Sequence, residues 1–118
     1  IKYFSNTFLA YKVAYFNKVY DVCEKLGMNY KYVRDGITMD RRIGTSHTKV
    51  PGIDRDRGFG GTCFPKDLNS LIVQLEENGI NADMFREVWN YNESVYITSC
   101  YTKYYHINEE TRKIVISA

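Results

Sequence analysis

No Cys-x-x-Cys pair occurs in this 118-residue chain, and its three cysteines, Cys23, Cys63 and Cys100, stand far apart. An odd number of cysteines in no recognisable spacing excludes a disulfide framework, and with His47 and His106 isolated no metal site is expected. Thiols outside disulfides suit a reducing cytoplasm. No apolar run is long enough to cross a bilayer, and no signal-peptide pattern is present. Charge of one sign is also scarce. The formal net charge is +2, and the only dense clusters are Arg41-Arg42 and Asp54-Arg-Asp-Arg57, of which the second carries both signs. That pattern makes a poor footprint for nucleic acid or an anionic membrane, so neither is an expected partner.

Aromatic residues, in contrast, are plentiful: eleven tyrosines, six phenylalanines and one tryptophan. A chain of this length fits one domain and buries roughly two-thirds of its unfolded surface, enough for a core. The apolar periodicity predicts a mainly α fold, with one long helix packed against several shorter ones. Phe8, Leu9, Val13, Phe16, Val19, Tyr20, Cys23 and Leu26 recur at spacings of three and four, which predicts a helix from about Lys2 to Leu26. Gly27 is its expected stop. Tyr3, Phe4, Tyr11, Ala14 and Tyr15 widen the apolar face beyond one stripe, so this helix wants neighbours on most sides. It reads either as a central core helix or as a core helix that also packs on a second copy of the chain, and the second reading is preferred. The chain opens inside the helical pattern without an N-cap, which reads as a cut rather than a natural beginning.

A short helix is expected from Asn29 to about Asp35, with Gly36 near its end, and an ordered loop from Thr45 to Thr62. A third helix is expected over Pro65–Asn78, ended by Gly79, with Leu68, Leu71, Ile72 and Leu75 inward. A fourth begins near Ala82 and runs to about Tyr96 or further, with Met84, Phe85, Val88, Trp89 and Val95 inward and Asn81 or Asp83 as cap. Residues 1–97 form the helical domain of this reading. In the remainder, 98–118, Lys113–Ala118 reads as a strand that either closes a hairpin with Tyr104–Ile107 or opens another domain.

The most informative stretch is Gly58-Phe-Gly-Gly-Thr-Cys-Phe-Pro-Lys-Asp67. Its glycines allow a tight turn and close approach of a ligand to the backbone. Pro65 suits a helix start. Cys63 then sits at the positive end of the helix dipole with Lys66 nearby, and both favour negative charge on sulfur, the nucleophilic form. Asp67, four residues on, can share one helical face with Cys63. Taken singly, the cysteine could be a small buried residue and Asp67 an ordinary first-turn acid. Their combination within ten residues points to a functional site with the chemistry of covalent catalysis.

Three blocks in order resemble the central portion of the UDP-glucose/GDP-mannose dehydrogenase family. They are Lys2-Tyr-Phe-Ser-Asn-Thr-Phe-Leu-Ala-Tyr-Lys12, continuing to Asn17 and Cys23-Glu-Lys-Leu-Gly27; then Asp40-Arg-Arg-Ile-Gly44; then Pro51-Gly52 with Arg57-Gly-Phe-Gly-Gly-Thr-Cys-Phe-Pro-Lys-Asp67. Trp89-Asn-Tyr-Asn-Glu-Ser-Val95 is similar to the helix that follows them in the family. The resemblance covers about residues 1–96. It implies an oxidoreductase that converts the C6 hydroxymethyl of a nucleotide sugar to a carboxylate with NAD, through a thiohemiacetal and a thioester on Cys63. UDP-glucose is the sugar favoured, with GDP-mannose or UDP-N-acetylmannosamine as alternatives. The resemblance implies that Lys2 steadies the oxyanion and that Asn6 donates beside it. Lys2 and Asn6 are four apart on one helix face, and donors aimed at developing charge are worth roughly 3 kcal/mol each.

By the same resemblance, Asp67 positions or deprotonates the attacking water and Lys66 lies near NAD. Gly60, Phe59 and the loop from Gly52 to Arg57 line the nucleotide-sugar site. Arg42 reaches into a partner subunit's site, where a guanidinium suits diphosphate or sugar oxygens, so a homodimer joined through the long helix is implied. The chain carries no Gly-x-Gly-x-x-Gly. NAD is therefore expected on a domain outside this chain, which alone should be inactive. The competing expectation is a non-catalytic helical dimerisation module in which the cysteine motif is a relic. As a domain isolated from its neighbours, the chain is expected to show apolar patches with no partner in the chain, and uniformly polar faces would count against the fragment reading.

Overall fold

The computed structural model describes residues 1–52, 57–60, 63–108 and 113–116, with side chains described as far as Val95. The fold is mainly α. Four helices follow one another: α1 (Lys2–Leu26), α2 (Tyr30–Thr38), α3 (Cys63–Glu77) and α4 (Asp83–Tyr104). A hairpin of β1 (Tyr105–Asn108) and β2 (Lys113–Ile116) comes last. Its strands are antiparallel, with Tyr105 opposite Ile116 and Asn108 opposite Lys113. The hairpin expected with Tyr104–Ile107 is thus present, over Tyr105–Asn108. α4 passes through residue 97 and ends only at Tyr104.

The helix ends follow local chemistry. Gly27 takes φ 69° after α1 and Gly79 φ 70° after α3, conformations that cost glycine little. Behind Gly79, the Ile80 N–H reaches back to the Leu75 carbonyl at 2.8 Å. Asn29 caps α2 by accepting from the Lys31 N–H at 2.9 Å. Gly36 lies inside α2, which continues to Thr38. At the start of α4 the Asn81 side chain accepts from the Asp83 N–H at 2.9 Å, so Asn81 rather than Asp83 serves as cap.

The core corrects the sequence reading of α1. Its buried residues are Thr7, Ala10, Ala14, Phe16, Asn17 and Cys23. Phe8 and Leu26, expected inward, are both 67% exposed. The central line of contact is Thr7, Ala10, Ala14 and Asn17, a 3-4-3 spacing of small or polar side chains. Small residues let helix backbones approach closely, so bulky neighbours are displaced to the flanks. Against this line pack Leu68 and Ile72 of α3, Val88 of α4, and Phe59 from the loop. Leu68 is fully buried, a burial worth roughly 1.5–3 kcal/mol. α1 therefore touches α2, α3 and α4 at once. Apolar side chains left outside include Phe4, Phe8, Tyr15 and Met84, each at least 60% exposed.

Candidate active site

α3 begins at Cys63 itself, two residues earlier than the sequence suggests, so Pro65 is its third residue. The first N–H groups of a helix have no intrahelical acceptor, and a proline there forfeits nothing. Starting at Cys63 puts the thiol on the first helical residue and Asp67 one turn below it. α1 lies alongside α3 and contributes Lys2 and Asn6, also one turn apart. The Asn6 amide donates from Nδ2 to Oδ2 of Asp67 at 2.6 Å across 61 residues of sequence. Lys2, Tyr3, Cys63, Lys66 and Asp67 line a cleft of about 290 Å³. Cys63 is exposed, whereas Cys23 is buried. Four residues expected together, Cys63, Lys2, Asn6 and Asp67, thus meet where α1 and α3 adjoin, and Lys66 stands at the same opening. Tyr3 joins them unannounced by the sequence.

The glycine-rich segment ahead of Cys63 is held by side chains of α1 and α4. Gly58 has φ 76°. Its N–H donates to Oδ1 of Asn17 at 3.1 Å. The Phe59 N–H donates to Oδ1 of Asn92 at 2.7 Å, and the Asn92 Nδ2 returns a bond to the Phe59 carbonyl at 2.9 Å. Arg57 donates to the Asn17 carbonyl at 3.1 Å and to Asp21 at 2.7 Å, with its guanidinium 4.9 Å from the Tyr20 ring centre. Tyr91 also donates to Asp21. Burial, and then the bond to Asp21, push the Tyr91 hydroxyl above its ordinary range. Phe59 is 4% exposed and part of the core. With both backbone groups engaged by Asn92, it can meet a substrate only as part of a cavity wall.

That wall belongs to a second cavity of about 660 Å³, bounded by Gly52, Gly58, Phe59, Gly60 and Phe64, with Arg34, Ser46, His47 and Lys49 on its polar side. Gly60 is one of its walls. Residues 53–56, part of the loop expected to line the nucleotide-sugar site, lie outside the described residues. The strand of loop beneath is fixed by Thr48, which is fully buried. Its hydroxyl accepts from Nε of Arg34 at 2.7 Å and donates to the Thr45 carbonyl at 2.7 Å, while the Tyr30 hydroxyl donates to the Thr48 carbonyl.

Burial raises the Tyr30 hydroxyl from its usual 10.0 to about 12, against a lowering by Arg34. A raised phenol keeps its proton longer in the folded chain than in the unfolded one. Its stabilisation is therefore complete below pH 10 and is lost as pH climbs towards 12. Tyr30→Phe should flatten the fall in urea-unfolding free energy over that window by about 1–2 kcal/mol, a figure discounted for partial exposure. An unchanged slope would refute the assignment.

Arg42 is placed elsewhere. Its side chain is 90% exposed and forks onto Asp40, with Nη2 2.6 Å from Oδ2. The hydrogen bonds from Arg42 hold the Asp40 carboxyl below its usual range. Arg42 borders an apolar groove of about 710 Å³ along α1, with Phe4, Phe8, Tyr11, Tyr15 and Phe85 among its walls. Within one chain it does not join the Cys63 cleft. Among the described residues no three His, Cys, Asp or Glu side chains are grouped to hold a metal ion, and no helix is long and apolar enough to cross a membrane.

Residues 1–94 match the model of the UDP-glucose/GDP-mannose dehydrogenase family, central domain. The chain belongs to this family. Among curated proteins it is similar to the UDP-glucose 6-dehydrogenase of Rickettsia prowazekii (strain Madrid E), 40% identical over 93 residues, which are 79% of this chain and 20% of the relative. The UDP-glucose 6-dehydrogenase TuaD of Bacillus subtilis (strain 168) is 39% identical over 93 residues, 79% of this chain and 19% of the relative. YwqF of the same strain, also a UDP-glucose 6-dehydrogenase, is 46% identical over 72 residues, 61% and 15% of the two chains. The chain spans about a fifth of the length of the first two relatives.

In this family member the sequence reading missed Asn17 and Asn92 as the supports of the glycine segment. Both stood inside the quoted family blocks, and the available signal was polarity at inward helical positions. Asn17 falls in the Thr7-Ala10-Ala14 line, and Asn92 falls one turn after Val88. A buried amide needs partners, so such a residue announces a polar contact to be found.

Proposed function

We propose that this chain is the central, catalytic-cysteine domain of a larger NAD-dependent nucleotide-sugar dehydrogenase. The enzyme would oxidise the C6 hydroxymethyl of UDP-glucose to the carboxylate of UDP-glucuronate. The observation that carries this reading is the cleft where Cys63 at the mouth of α3 is joined by Lys2 and Asp67, with Asn6 bonded to Asp67. The names of the similar proteins favour UDP-glucose over GDP-mannose or UDP-N-acetylmannosamine. An exposed thiol among ionic groups also favours catalysis over a dimerisation module with a relic motif.

When bound, NAD supplies the hydride acceptor. The cleft is at the low end of the volume that small-ligand pockets offer, so it fits the reacting carbon and one end of a dinucleotide at most. Lys66, at the opening, is suited to the anionic part of the cofactor. The bulk of NAD would be held by a domain outside residues 1–94.

The chain's own residues then have defined work. The oxidation takes two hydrides, one for each of two NAD molecules in turn. Loss of the first from C6, with the hydroxyl proton, gives the aldehyde. Cys63 adds to it through sulfur, forming a C–S bond and an oxyanion. Lys2 lies where an ammonium can stabilise that charge. Loss of the second hydride from C6 leaves a thioester on Cys63. Asp67, held in place by the Asn6 amide, orients the water that attacks the acyl carbon. Hydrolysis breaks the C–S bond, releases the carboxylate and returns the thiol. In the full-length enzyme, acid quenching during turnover of UDP-glucose should leave a glucuronyl adduct on Cys63, read by peptide mass spectrometry. Turnover with no adduct on this cysteine would end the thioester reading.

The same reading includes a homodimer through α1. The apolar groove along α1 and the outward Arg42 at its border support it, since an exposed guanidinium beside an apolar face is placed to enter a second copy's site. Sedimentation showing monomer only would remove the dimer. The thiols of Cys23 and Cys63, outside disulfides, fit a cytoplasmic enzyme.

A further inference from the structure

We propose that Asn17 and Asn92 are positioning residues for the Cys63 thiol, acting as two hands of a clamp on the dipeptide Gly58-Phe59. This inference rests on the catalytic reading of Cys63 and extends it to residues that never touch the substrate.

A glycine run has no side chains with which to hold itself in one path, so its course must be dictated by its neighbours. Here the neighbours are two buried amides from different helices. Asn17 of α1 is 2% exposed and Asn92 of α4 is 6% exposed. Burying an amide is unfavourable unless its groups are bonded. Asn92 spends both its groups on the dipeptide, whereas Asn17 gives it the oxygen and donates from Nδ2 to the Val13 carbonyl at 2.9 Å. Asn17 accepts from the Gly58 N–H at 3.1 Å and from Nε of Arg57 at 3.3 Å. Asn92 accepts from the Phe59 N–H at 2.7 Å and donates to its carbonyl at 2.9 Å. This pairing is the two-point fork that an amide makes with a peptide unit, and it fixes orientation as well as distance.

Phe59 stands four residues before Cys63, and its ring is packed in the core. Downstream, α3 is anchored by the fully buried Leu68. Cys63 is the first described residue of α3, and the clamped dipeptide lies four to five residues ahead of it. Releasing the clamp loosens the N-terminal turn of α3 that carries the thiol, while Asp67, one turn deeper, and Lys2 and Asn6 on α1 keep their places. The sulfur then shifts relative to the groups that serve it.

The test uses the full-length enzyme. Asn92→Ala and Asn17→Ala are each expected to lower kcat on the order of 10²-fold, the usual effect of a misplacement of about 1 Å, with little change in KM for UDP-glucose. Each should also slow site-resolved alkylation of Cys63 by iodoacetamide. Asn17→Asp keeps the oxygen that accepts from Gly58 and Arg57 and should recover most of both losses. Val88→Ala, buried in α4 in the core cluster that also holds Phe59 but without a hydrogen bond to the dipeptide, sets the effect of lost packing alone. Should Asn92→Ala not fold, the comparison of Asn17→Ala with Asn17→Asp decides. Asparagine variants that lose no more kcat and alkylation rate than Val88→Ala, or an Asn17→Asp no better than Asn17→Ala, would overturn the clamp. Failure of the catalytic reading shows separately, as turnover that survives in Cys63→Ser, and the alkylation rates still report on the clamp in that case.

Discussion

Cys63→Ser in the full-length enzyme is expected to abolish turnover of UDP-glucose, with kcat falling by on the order of 10³-fold or more, in line with the loss of other nucleophiles. The exchange is nearly isosteric. What it removes is a sulfur, a much stronger nucleophile toward carbonyl carbon than a hydroxyl oxygen. A serine hydroxyl at the same helix mouth is far less acidic than a thiol and stays protonated near neutral pH. Substrate binding should persist, because the residue is exposed at the cleft and not part of the core. The expected pattern is therefore a collapse of kcat with substrate affinity kept, measured by NADH absorbance and by equilibrium binding of UDP-glucose. Near-normal turnover would sink the proposed mechanism outright.

Gly58→Ala should be more disruptive than the same substitution at Gly27, Gly36, Gly44 or Gly79. A Cβ at Gly58 would sit 2.3 Å from Oδ1 of Asn92 and 3.2 Å from a methyl of Val95. Both groups are buried, and Asn92 cannot retreat without breaking its bonds to Phe59. Positive φ adds about 1–2 kcal/mol for an L-residue, and overpacking adds about 1–3 kcal/mol. The sum is a loss on the order of 2–5 kcal/mol in denaturant unfolding. Gly79→Ala provides the contrast. Its φ is also positive, but a Cβ there meets nothing within 4 Å, so only the backbone term of about 1–2 kcal/mol applies. Equal losses in the two variants would show that the crowding at Gly58 has no energetic weight. A Gly58→Ala protein that does fold should also lose kcat, since the substitution wedges the clamp open.

Much of this molecule was legible without coordinates. The 3.6-residue period placed α1, and the glycine after Leu26 ended it, because left-handed backbone is inexpensive only for glycine. Leu68, Leu71 and Ile72 were rightly assigned to the core. The reading failed where size mattered more than polarity. Hydropathy ranks Phe8 and Leu26 above Ala10 and Thr7, yet close helix packing selects the small residues and expels the large ones. It also failed at the start of α3, since proline is tolerated anywhere in the first turn and does not mark one position.

The amino-acid sequence by itself determined the helices, the stops and the local grouping of Cys63, Lys66 and Asp67, because these depend on neighbours within one or two turns. Only the tertiary structure decided that Asn6 would bond Asp67 across 61 residues, that Asn17 and Asn92 would grip one dipeptide from two sides, and that Arg42 would face a groove and not the thiol cleft. Contacts of that range follow from how closely α1, α3 and α4 approach one another, and that distance is set by side-chain volumes on several helices acting together.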